Sequence, residues 1–375
     1  MNWETILIVG GGIGGLTAAI AMRRQGFAVD IIERDPDWSV YGVGITQQMN
    51  VIRAMNDIGV LDDYLTMATG YDSTTIFVGP EGIEKTKFET PKLAGPNYPS
   101  NAGIRRPHLQ KVLGDKALSL GTNVRLGLTV TALNDDGAGV DVTFSDGSSA
   151  RYGAVVGADG VFSQMRETLF PDAPQPRYTG QWVWRYNLPR PADLDGMKVF
   201  AGPCNAGLVP MTDELMYIFL VTEEPDGMFL EQEGSAAAMR ARASKMPPPQ
   251  LIPWIAQIKD DSEVVARPLK VVYLQDQDWH KGRVVLLGDA VHTTTPHLAQ
   301  GAGIAIEDAL VLAQEMACSD APEIAFKAYR DRRLERVDHI TLNSIRIGEA
   351  QMGIGEPADI ETLNAQTIQL MSQPI

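Results

Sequence analysis

Glycine at positions 10, 12 and 15 and a carboxylate at position 33 are the residues whose types and spacing point first to chemistry. Ile6, Leu7, Ile8 and Val9 lead four β-prone apolar residues straight into Gly10-Gly11-Gly12-Ile13-Gly14-Gly15, which satisfies G-x-G-x-x-G. Leu16 to Gln25 then reads as a helix, and a second apolar strand, Ala28 to Ile32, ends in Glu33. Gly10 permits a tight turn. Gly12 lets a diphosphate approach the backbone where a side chain would block it, and Gly15 lets the helix pack close to the strand. Free N–H groups and the positive end of the helix favour phosphate charge there. Glu33 stands where a carboxylate accepts hydrogen bonds from an adenosine ribose. A glycine-rich turn alone is a weak signal. Strand, helix, strand and terminal acid in register point to a dinucleotide site, against a tight turn that holds no ligand.

The rest of the chain must position that site. At 375 residues it is long for one core, and two domains are expected. A hydrophobic content of 44% with 21% charged residues is that of a globular protein. The net charge of −15 argues against nucleic acid or an anionic membrane as partner, and leaves room for an anionic small substrate held by a few local cations. Cys204 and Cys318 match no metal or redox spacing, so no metal site is expected and both read as buried thiols in a reducing compartment. The first strand begins close to Met1 with no cationic, apolar leader before it. No apolar run approaches the ~18 residues a membrane helix needs. The expectation is a soluble cytoplasmic protein.

Thr46 to Ile58 reads as a helix, Thr74 to Glu89 as a hairpin turning at Gly79 to Gly82, and Arg105 to Ser119 as a helix with Pro107 in its first turn. Val124 to Leu133, Val140 to Phe144 and Val155 to Ala158 read as strands. From Thr179 to Thr222 the pattern is β-rich: Trp182 to Leu188, Met197 to Phe200, Ala206 to Pro210 and Met216 to Val221. Ser235 to Lys245 is helical, Arg283 to Leu287 is a buried strand, and helices follow from Gly301 to Met316 and from Pro322 to Ile347. This order suggests an α/β cofactor domain interrupted by a β-rich insertion.

Two later motifs decide which dinucleotide. One is Val155-Val156-Gly157-Ala158-Asp159-Gly160, continuing to Arg166; the other is Arg283 to His292 with Gly288-Asp289, continuing through Pro296 and Gln300-Gly301-Ala302-Gly303 to Asp308. With the amino-terminal fingerprint they resemble the class A, single-component flavoprotein aromatic hydroxylases of the p-hydroxybenzoate hydroxylase fold, nearest the salicylate hydroxylase and 6-hydroxynicotinate 3-monooxygenase branch. The resemblance implies a Rossmann-like FAD-binding domain of the GR2 type, interrupted by a β-sheet-rich substrate domain and followed by C-terminal helices. FAD-binding segments would be 1–72, 102–176 and 276–375, the last with the C-terminal helices, and substrate-domain segments 73–101 and 177–275. It further implies tightly held, non-covalent FAD, with Gly10, Gly12 and Gly15 on its diphosphate and Glu33 on its ribose. Arg34 and Arg106 would contact the cofactor, Asp159 would lie near FAD and the nicotinamide, and Asp289 would meet the ribitol or diphosphate. Pro296, Gly301, Ala302 and Gly303 would border the isoalloxazine. Many relatives carry glycine where this chain has Ala299, a minor departure unless the turn needs positive φ. A helix starting near Gly301 would aim its positive end at the pyrimidine edge, which becomes negative on reduction. With one fingerprint and no redox cysteine pair, NADH or NADPH is expected as a transient co-substrate.

The implied reaction is reduction of FAD by NAD(P)H, formation of a C4a-hydroperoxide with O₂, and oxygen transfer to a small aromatic or heteroaromatic ring: a hydroxybenzoate, hydroxypyridine or phenol. His297, after Pro296, is the candidate base or substrate contact, against a capping or solvent-facing loop histidine. Tyr217 is a candidate hydrogen-bond partner of a substrate hydroxyl, and Arg185 a candidate partner for a carboxylate, each against a packing or surface role. Met211 stands where some relatives carry a substrate-side arginine. His292 reads as structural, Met211, Met216 and Met228 as core or pocket wall, and the last helices as packing or the surface of a homodimer. The alternatives are a flavin-dependent reductase or dehydrogenase of the same fold, or a non-catalytic flavin-binding sensor.

Overall fold

The computed structural model describes residues 5–40, 42–202 and 205–375; Cys204 lies outside them. Thr5–Val9 is an apolar strand buried from Ile6 onward, the pattern of a strand covered on both faces. It pairs in parallel with Ala28–Glu33 on one side and Ala154–Gly157 on the other. Asn123–Leu126 and Val284–Leu286 extend the sheet in parallel, and His280–Lys281 closes one edge antiparallel. The carboxyl ends of Thr5–Val9, Ala154–Gly157 and Val284–Leu286 therefore lie side by side. That brings Gly10, Asp159 and Gly288-Asp289, remote in sequence, to one edge of the sheet. Ile13–Arg24 packs on Ala28–Glu33 and against Gly301–Cys318. Both helices bury consecutive residues, Gly15 to Met22 and Gly303 to Ala313, because each is covered all round.

A seven-stranded sheet runs in the order Val265–Tyr273, Arg177–Pro189, Leu215–Glu223, Ala206–Pro210, Met197–Ala201, Ser73–Val78, Ile83–Glu89. Its strands alternate. Trp182, Trp184, Tyr186 and Leu188 join Met216, Ile218 and Leu220 in one core with helix Ser235–Ala243. Arg185 and Asn187 take the opposite face by the two-residue period. Arg185 pairs with Phe219 and Asn187 with Tyr217, so these four share that face. A small sheet of Gly44–Gln47, Asn101–Arg105 and Ala68–Tyr71 stands beside it. Gly103 must be glycine there, since a Cβ would lie 1.9 Å from the Pro210 carbonyl oxygen.

Several sequence expectations are corrected. The helix expected from Thr46 begins at Met49, because Ile45 and Thr46 are claimed by pairing with Ile104 and Gly103. The strand expected over Val124 to Leu133 is two strands in different sheets, Asn123–Leu126 and Val130–Asp135, with Gly127 turning the chain at φ +72°. Cys318 is exposed, not buried, in the last turn of its helix. A further helix, Ile360–Ser372, follows the long helix Pro322–Gln351.

Candidate active site

The three fingerprint glycines have three separate reasons. Gly10 takes φ +111°, and a Cβ there would sit 2.4 Å from the Ala158 carbonyl oxygen. A Cβ on Gly15 would lie 2.0 Å from the Gly10 carbonyl oxygen. Gly12 has φ −81°, and a Cβ there would meet nothing within 4 Å. No neighbouring protein atom requires glycine at position 12, which faces open space. Glu33 accepts from the Gly11 N–H at 2.8 Å and the Asp35 N–H at 2.9 Å, so its carboxylate is fixed against the fingerprint turn. Arg34 next to it is exposed.

At the end of Val284–Leu286, Gly288 (φ +62°) turns the chain into Asp289. The Asp289 side chain remains accessible to solvent, yet it is crowded enough that desolvation raises its pKa against the pull of His292 and Arg106. Arg106 begins helix Arg106–Ser119, and burial holds its guanidinium below the ordinary range while Tyr217 and Asp289 act in the other direction. Arg185 is pushed down to about 10, first by desolvation and then by Arg106, with Tyr217 opposing. No hydrogen bond or ion pair holds the side chain of Arg106, Arg185 or Asp289 among the described residues. Both guanidinium groups are half-buried and carry no protein partner among the described residues, so each keeps its donors available to an anion. Tyr217 is buried beside both cations, and desolvation raises its pKa while they lower it. Its ring fills the place of a Cβ on Gly44, 2.2 Å from Cδ1, and Met211 Sδ lies 2.4 Å from that same point. The Thr46 hydroxyl meets the Tyr71 hydroxyl at 2.5 Å behind it. The structure thus brings Tyr217, Arg185, Arg106 and Asp289 together.

The third wall is the start of Gly301–Cys318. The N–H groups of Gly301, Ala302 and Gly303 find no acceptor among the described residues. Pro296 opens a 3₁₀ turn, Pro296–Leu298, and Ala299 closes it at φ +53°. The turn does need positive φ, so alanine here is strained and the departure from glycine is not minor. His297 Nδ1 meets the Thr295 hydroxyl at 2.8 Å and Nε2 meets the Gln351 side-chain oxygen at 3.0 Å. Gln351 Oε1 can only accept, so Nε2 carries the proton and both ring nitrogens are engaged. Burial pushes the His297 pKa down to about 4. Asp159 accepts from the Ser163 hydroxyl at 2.5 Å and the Met165 N–H at 3.0 Å, Ser163 being the N-cap of Gln164–Leu169, and burial still holds its pKa up.

Beneath this wall lies a buried polar cluster that the sequence reading did not single out. Arg333 donates to Glu307 at 2.8 Å and to Asp308 at 2.7 Å, all three side chains fully buried. Asp308 also meets His292 Nε2 at 2.5 Å, beneath the Gly288-Asp289 turn. Glu307 takes Arg336 at 2.9 Å and Asn50 at 3.2 Å, and Asn50 reaches Gln300 at 3.0 Å. The available signal was the acidic pair Glu307-Asp308 inside the apolar run from Ile304 to Ala313.

The chain matches the family described as FAD binding domain over residues 4–344. It is 32% identical to the aurachin C monooxygenase/isomerase of Stigmatella aurantiaca, over 98% of this chain and 94% of that protein. The chain belongs to this family of FAD-dependent monooxygenases. It is also 30% identical to 6-hydroxynicotinate 3-monooxygenase of Bordetella bronchiseptica, covering 89% of each chain. Among solved structures, Klebsiella pneumoniae HpxO complexed with FAD and uric acid aligns with TM-score 0.82 and 26% identity over 98% of this chain and 92% of that one. The residues present fit FAD: open space over Gly12, unpaired Arg106 and Asp289, and free N–H groups at the Gly301 helix start are what a diphosphate, a ribitol and a flavin edge require.

Proposed function

We propose that this monooxygenase hydroxylates a small aromatic or heteroaromatic ring, with NADH or NADPH as the transient reductant. The reading rests chiefly on one observation: the unpaired Arg185 and the buried Tyr217 share the sheet face that adjoins Arg106 and Asp289. Bound FAD, once reduced, supplies the means of activating O₂ for transfer of one oxygen atom to the ring. Gly10, Gly12, Gly15, Glu33, Arg34, Arg106, Asp159, Asp289 and the segment from Pro296 through Gly303 hold and border it. Tyr217 hydrogen-bonds the ring substituent, and Arg185 faces its negative charge. An oxygen substituent bound beside that cation loses its proton more readily, which raises the electron density of the ring. His297 remains neutral and fixes the Pro296 turn against Pro322–Gln351. Phe219 and Met197 offer apolar surface to the ring on the same sheet.

The proposal divides the chain into cofactor segments 1–72, 102–176 and 276–375 and substrate segments 73–101 and 177–275, and places it in the cytoplasm. A homodimer through the C-terminal helices belongs to the same reading, supported by the exposed Ile324 and Leu342 on Pro322–Gln351. The test is NADH and NADPH oxidation in air with a panel of hydroxybenzoates, hydroxypyridines, quinolones and phenols, following oxygen uptake and peroxide. Stimulation with little peroxide supports ring hydroxylation and identifies the ring class. Product-free consumption with every ring would favour a reductase instead. Arg185→Met should raise KM for the best substrate more than 10-fold while FAD stays bound; an unchanged KM removes Arg185 from the site.

A further inference from the structure

Two glycines have no explanation in the fingerprint. G-x-G-x-x-G leaves position 11 free, and Gly114 sits inside helix Arg106–Ser119, where glycine is a poor helix former. Both face one side chain. A Cβ on Gly11 would lie 2.7 Å from Trp38 Nε1 and 3.3 Å from Trp38 Cε2, and one on Gly114 would lie 3.5 Å from Cη2. The indole is seated between the fingerprint turn and that helix. Trp38 Nε1 donates to the Gly11 carbonyl at 2.8 Å, and Gln110 donates to the same oxygen at 2.8 Å. The Gly11 N–H goes to Glu33, so this one residue is held on both sides of its Cα. Trp38 itself adopts φ +49°, a backbone state bulky residues avoid and keep only where surroundings impose it. Asp35 imposes it, accepting from the Asp37 N–H at 3.0 Å and the Ser39 N–H at 3.0 Å. Trp38 remains partly exposed.

We propose that Trp38 is a cofactor-positioning residue whose indole walls the adenosine end of the cleft and touches the adenine. This rests on the reading that Glu33 holds the adenosine ribose. Glu33 Cβ and the indole flank the same point, 3.3 Å and 2.7 Å from a Cβ on Gly11. An adenosine whose ribose meets Glu33 therefore runs alongside the indole, which offers a flat apolar surface to the base. By holding the Gly11 carbonyl, Trp38 also orients the turn that leads into Gly12, over which the diphosphate lies.

The test uses the full chain freed of flavin and titrated with ADP and with FAD. ADP does not absorb at indole emission wavelengths, so an emission change on ADP binding reports contact. The native chain is expected to show that change. Trp38→Phe should lose it and bind FAD at least fivefold more weakly, while its melting temperature and the visible flavin spectrum of its FAD-loaded form stay native. Gly114→Leu, which displaces the indole without removing it, should weaken FAD binding in the same way. Native ADP and FAD affinities in Trp38→Phe, or an emission change that survives there, overturn the role of Trp38 and leave the Glu33 reading standing. Failure of the native chain to bind either ADP or FAD overturns both.

Discussion

Replacing each fingerprint glycine by alanine separates fold from cofactor. In Gly15→Ala the new methyl is 2.0 Å from a backbone oxygen, and in Gly10→Ala it is 2.4 Å from another, at φ +111°. Neither oxygen can withdraw without moving a strand or helix. Overpacking of this kind costs about 3 kcal/mol, with about 1 more for the left-handed backbone at position 10. At roughly 2.1 cal/mol/K per residue, a chain of this length loses about 4–5 °C of melting temperature, with or without cofactor. Gly12→Ala adds a methyl that meets no protein atom at an ordinary φ, so the flavin-free protein should melt within about 1 °C of the native chain. The same methyl enters the space over the turn. Losing one charge-assisted N–H contact to the diphosphate costs about 1.5–3 kcal/mol, or roughly 10- to 150-fold in FAD affinity. Melting of the flavin-free chains and titration by flavin fluorescence measure the two effects separately. A Gly12→Ala chain that holds FAD with native affinity, or melts as low as Gly15→Ala, would refute this separation of fold from cofactor.

Ala299→Gly should stabilise the protein by about 0.5–1 kcal/mol: relief of about 1–2 kcal/mol of left-handed strain, offset by the freer unfolded chain. A calorimetric melt that falls instead would show that φ +53° carries no strain. Arg333→Met strips the shared cation from the buried Glu307 and Asp308 and should cost about 3–5 kcal/mol in denaturant titrations; a loss below about 1 kcal/mol would contradict the cluster's account. His297 titrates near 4 in the fold against an ordinary 6.5. Between those values the unfolded chain binds the proton and the folded chain does not, so this contribution is full above pH 6.5 and lost as pH falls toward 4. His297→Gln should flatten the melting-temperature profile over that window, and parallel profiles would remove His297 from it.

The cofactor end was legible because local rules carry it. Gly10, Gly12 and Gly15 sit within one turn and Glu33 follows one strand later, so spacing alone prescribed their geometry. The alternation of Trp182 to Leu188 likewise announced a strand with one covered face. Ile45 and Thr46 are strand rather than helix because their partners Ile104 and Gly103 lie far along the chain, and pairing over that distance outweighs a helical pattern. The engagement of His297 with Gln351, and the clamp of Arg333 on Glu307 and Asp308, join segments tens of residues apart. So does the meeting of Arg185 and Tyr217 with Arg106. By itself, the sequence determined the glycine turn, the acid that ends the second strand and the order of the motifs, because those depend on neighbours along the chain. Which cations stand unpaired, which histidine is already occupied and which alanine is strained were decided by tertiary structure, because each depends on groups that only folding brings within bonding distance.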